Sequence, residues 1–345
     1  MTQRPSPFNS LRPIRAAIPF ARQPESVRAE PVEALSASRP STSSARPGVC
    51  NLIATVIAAT ALAATGAQAE IALRDDTGRE LKLARPAERI VSLAPHVTEL
   101  LFAAGAGERV VGAVAYSDYP DAARKLPRVG GYSNVDMEAV AALKPDLVIA
   151  WKSGNRDAHL DKLAALGIPV FMNEPRNLDD VARSLETIAR LAGTDAAGRT
   201  AADAFRTRKG ALAARFGQRP RVRMFYQIWD KPLMTINDEH LISDVIRLCG
   251  GENVFAKLTQ LAPTIGVESV LAADPEVIVA SGMGEARPEW LDNWKRWPKL
   301  AATARENLYF VPPELIQRHT PRILDGATTL CEQLEKARGK RPAGT

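Results

Sequence analysis

Short apolar runs alternate with amphipathic stretches along most of this chain, and that alternation restricts the fold more than any other feature. The apolar runs lie at 90–93, 110–114, 147–151, 170–172, 222–226, 277–280 and 308–311. Helical apolar spacing lies between them, at 97–104, 136–143, 178–191 and 241–248. Strands that alternate with helices in this way predict α/β units with mostly parallel sheets.

The chain also repeats itself at the scale of a domain. The segment DMEAVAALKPDLVIA at 136–150 aligns with GVESVLAADPEVIVA at 266–280. Ahead of each copy lies an apolar helix that ends in a related turn, GERV at 107–110 and GENV at 251–254. Two related fragments in the same order predict two similar α/β lobes.

A single long helix is predicted between the halves. Thr194 is in the N-cap position of a stretch without proline that ends at Gly217 and Pro220. At about 1.5 Å per residue this helix spans roughly 33 Å. It predicts a rigid link with little hinge closure, although an ordinary surface helix of the first lobe is the alternative. The predicted parts are an N-terminal lobe (70–193), a linking helix (194–217) and a C-terminal lobe (218–345).

The first 69 residues predict export. An apolar run at 49–69 follows Arg46 and ends in small residues, which is typical of a secretory signal over 46–69 that is cleaved after Ala69. The alternative, a membrane anchor, is disfavoured because the apolar core falls short of the roughly 20 residues that a span needs. Residues 1–45 are rich in Pro, Ser, Ala and Arg and are predicted to be disordered.

Charge and cysteine content narrow the function further. Residues 1–69 contain seven Arg and three Glu, a net +4 of the total +6, so the rest carries only +2. We therefore expect no nucleic-acid partner. After cleavage the chain keeps Cys249 and Cys331, which form either one disulfide or two buried thiols.

Enzyme signatures are absent from the sequence: it contains no phosphate loop, no GxSxG elbow, no HExxH and no CxxC. Four histidines are scattered without metal-ligand spacing, namely His96, His159, His240 and His319. We expect no catalytic residue, no metal site and no resident cofactor.

Aromatic and ring-bearing residues follow the predicted strands, where open α/β sheets bind ligands. They are Pro95, His96, Tyr116, Trp151 and Trp229. Their flat faces suit a large flat ligand, although isolated aromatics can also cap the core. Tryptophans at 290, 294 and 297 have the spacing of a packed helix face.

At this point the sequence resembles a known family, the periplasmic substrate-binding proteins of ABC importers with a rigid linking helix, and within it the cobalamin binders. The likeness runs from about residue 89 to 334. It rests on RIVSLAPHVTELLFAAGAG from Arg89, AYSDYP from Ala115, ALKPDLVIAW from Ala142, LCGGENVF from Leu248 and RHTPRIL from Arg318. The general family pattern fits haem and siderophore binders equally well.

The resemblance implies a corrinoid held in a cleft between the lobes. Tyr116, Trp151, Ile228 and Trp229 match positions along the ligand, and Glu314 and Arg318 match polar positions of the second lobe. Two positions depart from the pattern: Tyr132 replaces a tryptophan and His96 replaces an alanine. These changes suit another corrinoid or axial group. For His96 we expect a hydrogen bond or simple lining rather than cobalt coordination, because cobalamin already carries both axial ligands.

The resemblance also implies a partner and a compartment. Glu138 and Glu268 occupy equivalent positions in the repeat and match acidic knobs that meet arginines of the permease. Cys249 and Cys331 match a disulfide. The expected protein is a periplasmic, monomeric, non-enzymatic carrier that delivers a corrinoid to the permease and ATPase complex of an inner-membrane importer. The competing predictions are a haem or ferric-siderophore binder of the same fold and, less favoured, a periplasmic α/β enzyme.

Overall fold

A computed structural model of the chain describes residues 70–282 and 286–342. The predicted extension at 1–45 and the signal at 46–69, with its cleavage after Ala69, lie outside the described residues. Within the described ranges, no helix combines the length and apolar character needed to cross a bilayer.

Helices and strands alternate along the described chain. The strands are β1 Ile71–Arg74, β2 Glu80–Leu83, β3 Ile90–Ser92, β4 Val110–Ala113, β5 Gly130–Gly131, β6 Asn134–Val135, β7 Leu147–Ala150, β8 Val170–Met172, β9 Val222–Gln227, β10 Gly251–Asn253, β11 Val277–Ala280 and β12 Leu308–Phe310. The α-helices are α1 Pro95–Ala103, α2 Met137–Ala142, α3 Asp157–Ala165, α4 Leu178–Ala192, α5 Asp195–Phe216, α6 Leu241–Leu248, α7 Val267–Ala273, α8 Ala301–Ala304, α9 Pro313–Ile316 and α10 Ile323–Gly339. Three 3₁₀ segments lie at Gly107–Arg109, Asp121–Lys125 and Glu289–Arg296.

Two four-stranded parallel sheets form the centres of two α/β lobes, as predicted. The N-terminal sheet has the order β4-β3-β7-β8 and the C-terminal sheet the order β10-β9-β11-β12. Both sheets therefore have the same topology: numbered by their order along the chain, the four strands of each sheet lie in the order 2-1-3-4. The repeated segments of the sequence occupy equivalent places, since α2 leads into β7 and α7 leads into β11.

The two central strands of the repeat are buried on both faces, which explains their continuous apolar sequences. In β7, Leu147 and Ile149 face one hydrophobic cluster, while Val148 and Ala150 face another. The first of these clusters also contains residues of β9, β11 and helices α4, α6 and α10. It therefore extends through both lobes, and each sheet has a second, local cluster on its other face.

Helix α5 has the bounds expected for the linking helix, and it packs mainly against α4. Its start differs in one detail from the prediction. Thr194 occupies the N-cap position, but its hydroxyl donates to the carbonyl of Ala104 at 2.7 Å and makes no cap bond. The threonine thus fastens the start of this helix to the end of α1.

Two further expectations are corrected. The tryptophans at 290, 294 and 297 pack against the core as predicted, but they lie on or beside the 3₁₀ segment Glu289–Arg296 and not on an α-helix. Trp294 is buried, and its Nε1 donates to Gln227 Oε1 at 2.8 Å. The GEN sequence at 251–253, predicted as a turn, is the edge strand β10. It contains no apolar run, so the pattern that predicts the other strands does not detect it.

Cys249 and Cys331 form a disulfide. Cys249 follows α6 and Cys331 lies within α10, so the bridge ties together two helices of the C-terminal lobe. Both residues are fully buried.

Candidate functional site between the lobes

A cavity of about 160 Å³ lies between the two lobes. The N-terminal lobe contributes Trp151, Ser153, Glu174, Pro175 and Arg176, and the C-terminal lobe contributes Ile228, His240, Leu241, Ile242, Leu261, Gln317 and His319. Sites that hold drug-sized molecules measure about 300–1,000 Å³. A bulky ligand therefore requires side chains or lobes to move apart.

Trp151 leaves strand β7 at its carboxyl end and forms one wall of the cavity. Asn155 holds this loop: its Oδ1 accepts from the backbone N–H of Trp151 at 2.7 Å. The amide of the same Asn155 donates to the carbonyls of Leu93 at 2.9 Å and Tyr132 at 2.7 Å. One buried side chain thereby fixes three loops at the ligand-facing end of the N-terminal sheet.

Three histidines that are scattered in the sequence meet at the lobe boundary, and two of them, His240 and His319, line the cavity. His96 from α1 lies 5.3 Å from His319, centroid to centroid, and His319 lies 6.3 Å from His240. His96 also meets Trp151 edge to face at 5.3 Å. Only His159 lies apart from these rings. The histidines are distant in sequence and meet because their strand ends and loops converge between the lobes.

Burial keeps these imidazoles neutral. Desolvation, assisted by the charge of Arg318, lowers the pKa of His96 to about 3. Desolvation and the charge of Arg176 lower the pKa of His240 to about 4. The pKa of His319 falls well below its usual value, chiefly through burial and also through the two neighbouring histidines and Arg176. At neutral pH the cluster therefore presents nitrogen lone pairs and N–H donors without positive charge.

Two tyrosines predicted to contact ligand are exposed on the N-terminal lobe. Tyr116 is 73% exposed and adopts a φ of 64°, a left-handed conformation that is uncommon for a residue with a side chain. Tyr132 is 40% exposed, and its ring lies 5.8 Å from that of Trp151. Both rings are therefore available to a molecule that approaches the lobe boundary.

Arg318 belongs to the C-terminal lobe, but its side chain is bound to the N-terminal lobe. Its Nη1 donates to Glu99 Oε1 at 2.7 Å and to Asp118 Oδ1 at 2.6 Å, and its Nη2 donates to the carbonyl of Tyr116 at 3.2 Å. Burial opposes ionisation of Asp118, but its hydrogen bond and ion pair with Arg318 hold its pKa below the usual value. Arg318 is thus fixed beside the loop that carries Tyr116.

The remaining predicted ligand residues are placed differently. Ile228 lines the cavity. Trp229 is half-buried, and its indole donates to the carbonyl of Lys231 at 3.0 Å. Pro95 and Glu314 are half-buried at the starts of helices α1 and α9. Trp229, Pro95 and Glu314 are not among the residues that line the cavity.

The two glutamates of the repeat lie in the first turn of α2 and of α7, respectively. Glu138 and Glu268 are both exposed. The equivalent topology of the two lobes gives them matching positions, one on each lobe.

Comparison with known proteins decides the family. The sequence profile described as periplasmic binding protein matches residues 90–315. The chain belongs to the periplasmic binding protein family. This membership implies a periplasmic location and a role as a binding protein.

Individual relatives agree with this assignment. The chain is 36% identical over 256 residues to the vitamin B12-binding protein of Vibrio parahaemolyticus, covering 74% of this chain and 92% of that protein. It is also similar to the crystal structure of the periplasmic vitamin B12 binding protein BtuF of Vibrio cholerae, with 36% identity, a TM-score of 0.68 and coverage of 73% of this chain and 98% of that one. A periplasmic haem-binding protein from Roseiflexus sp. RS-1 shares the fold at 24% identity, with a TM-score of 0.64 and coverage of 73% and 99%.

Several residues at the lobe boundary are not among the predicted site residues. They are Glu99, Asn155, Glu174, His240, His319 and Arg322. His319 directly follows Arg318 in the RHTPRIL motif, so its place beside a predicted ligand residue could have indicated that it belongs to the site. The polar residues Glu99 and Asn155 gave no signal, because each resembles an ordinary surface residue until its partners are known.

Proposed function

We propose that this protein captures cobalamin, or a closely related corrinoid, between its lobes and delivers it to an ABC importer. The observation that carries the proposal is the cavity between the lobes, which is walled by Trp151, Ile228 and His319. Flat rings and an aliphatic side chain suit the faces of a large macrocycle, while Gln317 and Arg176 offer donors for its amides. The identity to a vitamin B12-binding protein over 92% of that protein supports the same ligand class.

Entry of the ligand requires the lining residues of the two lobes to move apart, since the cavity has a volume of only about 160 Å³. The contacts of Tyr132 and the histidines with Trp151 are between rings and include no ion pair. The charged contacts between the lobes involve Arg318 and Arg322 instead. We infer that the rings move apart first, and that Tyr116, Tyr132 and Arg318 then border the enlarged cleft.

The proposal includes export and delivery. The chain is exported by the signal at 46–69, cleaved after Ala69, and acts as a monomer in the periplasm. Glu138 and Glu268 then dock on basic residues of the two permease subunits of an inner-membrane importer that is driven by its ATPase. Exposed carboxylates at matching places on two similar lobes fit a two-fold partner. The protein has no catalytic role and no resident cofactor in this account.

Retention of ligand by the exported protein tests the proposal. The protein is purified from the periplasm and mixed separately with cyanocobalamin, haemin and a ferric siderophore, and each mixture is passed through gel filtration. Absorption at the protein peak should show cyanocobalamin at one equivalent, with no chemical change in the recovered ligand. Retention of haemin or siderophore in its place, or conversion of the corrinoid, would overturn the proposal.

A further inference from the structure

Three buried ring nitrogens at the lobe boundary have no hydrogen-bond partner among the described residues. They are His96 Nε2, Trp151 Nε1 and His319 Nδ1. A buried polar group without a partner costs about 1–3 kcal/mol. Three such atoms in contacting rings, two from one lobe and one from the other, indicate a place where a ligand group supplies the missing interaction.

The two imidazoles are suited to donate a lone pair to a metal. Each neutral imidazole carries one N–H and one free nitrogen. In each of these two rings one buried nitrogen, His96 Nε2 or His319 Nδ1, has no partner among the described residues and is left to interact with a ligand.

A free metal ion does not fit this place. In the part of the chain that the structure describes, no group of three or more His, Cys, Asp or Glu residues is arranged to hold an ion. Protein sites for a free zinc ion use three or four side chains. Two imidazoles are sufficient only for a metal that already carries its equatorial ligands, as in the centre of a planar tetrapyrrole.

We propose that the pair His96 and His319 supplies an imidazole ligand to the axial position of a metal-centred planar macrocycle. This inference rests on the proposed function for the position of the ligand between the lobes. His96 belongs to the N-terminal lobe and His319 to the C-terminal lobe, with their centroids 5.3 Å apart. A macrocycle that enters between the lobes separates the rings and meets one on each face. An imidazole nitrogen then replaces an axial water, which leaves to solvent, and the oxidation state of the metal is unchanged.

The preferred class of ligand is accordingly a tetrapyrrole with an exchangeable axial position. Cyanocobalamin has both axial positions occupied and offers no site for the imidazole. Diaquacobinamide, a corrinoid without the nucleotide base, offers two exchangeable waters. Haemin offers the same axial chemistry on a porphyrin, so it distinguishes the two kinds of macrocycle.

Absorption spectroscopy tests this proposal with the exported protein. Diaquacobinamide should show a shift of its cobalt bands on binding, and the double variant His96→Gln with His319→Gln should lose that shift. Glutamine keeps a hydrogen-bonding side chain, so it separates ligation from hydrogen bonding. The single variants, His96→Gln and His319→Gln, show which of the two imidazoles binds the metal. His159→Gln, outside the cluster, is the matched control and should retain the shift.

Affinity gives a second measurement. The double variant should bind diaquacobinamide at least about tenfold more weakly. Mutation of a residue that only orients a metal ligand already costs about 10–100-fold in affinity, and this variant removes the ligands themselves. Far-UV circular dichroism and the urea midpoint of the double variant, compared with those of the wild type, show whether the variant is folded. Cyanocobalamin binding without any spectral shift of diaquacobinamide or haemin overturns this inference and leaves the proposed function standing. A His-dependent shift with haemin, without corrinoid binding, supports axial ligation and overturns the proposed function.

Discussion

Arg322 of the C-terminal lobe and Glu99 of the N-terminal lobe form a two-point ion pair, with Nε to Oε2 at 2.9 Å and Nη2 to Oε1 at 2.7 Å. The Glu99 side chain is only 2% exposed, and Arg318 also donates to it. The guanidinium of Arg322 lies 3.9 Å from the centroid of the Tyr119 ring. This pair joins the lobes directly, in addition to helix α5.

Removal of the Glu99 charge should therefore destabilise the protein. Glu99→Gln leaves two arginines without their shared buried carboxylate, and a broken buried ion pair costs about 3–5 kcal/mol. Urea unfolding followed by tryptophan fluorescence measures the loss. Glu88→Gln, which breaks an exposed pair with Arg85, is the control and should cost less than about 1 kcal/mol. Equal effects of the two variants would contradict a structural role for the inter-lobe pair.

Loss of the disulfide should also lower stability. The bridge between Cys249 and Cys331 closes a loop with a sequence separation of 82 residues, for which chain entropy predicts about 4.5 kcal/mol. The double variant Cys249→Ser and Cys331→Ser should unfold at a lower urea concentration than the oxidised protein. Dithiothreitol should shift the urea midpoint of the wild type toward that of the variant and leave the variant unchanged. A wild-type midpoint that matches the variant without reductant would show that the bridge is absent.

The buried histidines predict a dependence of stability on pH. The pKa of His96 is lowered from 6.5 to about 3. The unfolded chain therefore takes up this proton near pH 6.5, whereas the folded protein does so only near pH 3. Stability from the neutral ring is present above pH 6.5 and is lost as the pH falls toward about 3.

The test compares His96→Gln with the wild type. The free energy of unfolding of the His96 variant should fall less steeply below pH 6.5 than that of the wild type. The slope should differ by at most about 1.4 kcal/mol per pH unit. Parallel curves for the wild type and the His96 variant would show that His96 takes up protons normally in the folded protein.

Reversal of the paired docking charges should separate transport from binding. Glu138→Lys with Glu268→Lys places positive charge against the proposed basic permease surface, so corrinoid uptake should be abolished. Affinity for cyanocobalamin should stay unchanged, because neither residue lines the cavity. Asp161→Lys with Glu252→Lys, again one exposed acid in each lobe, is the control and should support uptake. Normal uptake by the Glu138 and Glu268 variant would remove the docking proposal.

Much of the fold could be predicted because its signals are local. The apolar runs at 170–172 and 277–280 match β8 and β11 residue for residue, since strands buried on both faces are apolar throughout. The repeat indicated two lobes because equivalent segments occupy equivalent places in two sheets. Strand β10 was missed because an edge strand can be polar, and its pairing with β9 is not visible in its own residues.

The site was less predictable because it depends on distant partners. Trp151 could be placed at a strand end from its neighbours in sequence, and the cavity wall includes it. The meeting of His96 with His319 joins residues from different lobes, and no spacing in the sequence encodes it. The same holds for Arg318, whose partners Glu99 and Asp118 are about 200 positions away.

Calorimetric titration of the exported protein with cyanocobalamin measures whether the chain binds cobalamin. We expect one site per chain with a dissociation constant of about 1 µM or tighter, equivalent to about −8 kcal/mol. Trp151→Ala should weaken binding at least about tenfold, because a stacked aromatic ring contributes packing area as well as about 0.5–1.5 kcal/mol beyond it. Absence of heat with cyanocobalamin, together with saturable binding of haemin or a ferric siderophore, would show that cobalamin is not the ligand.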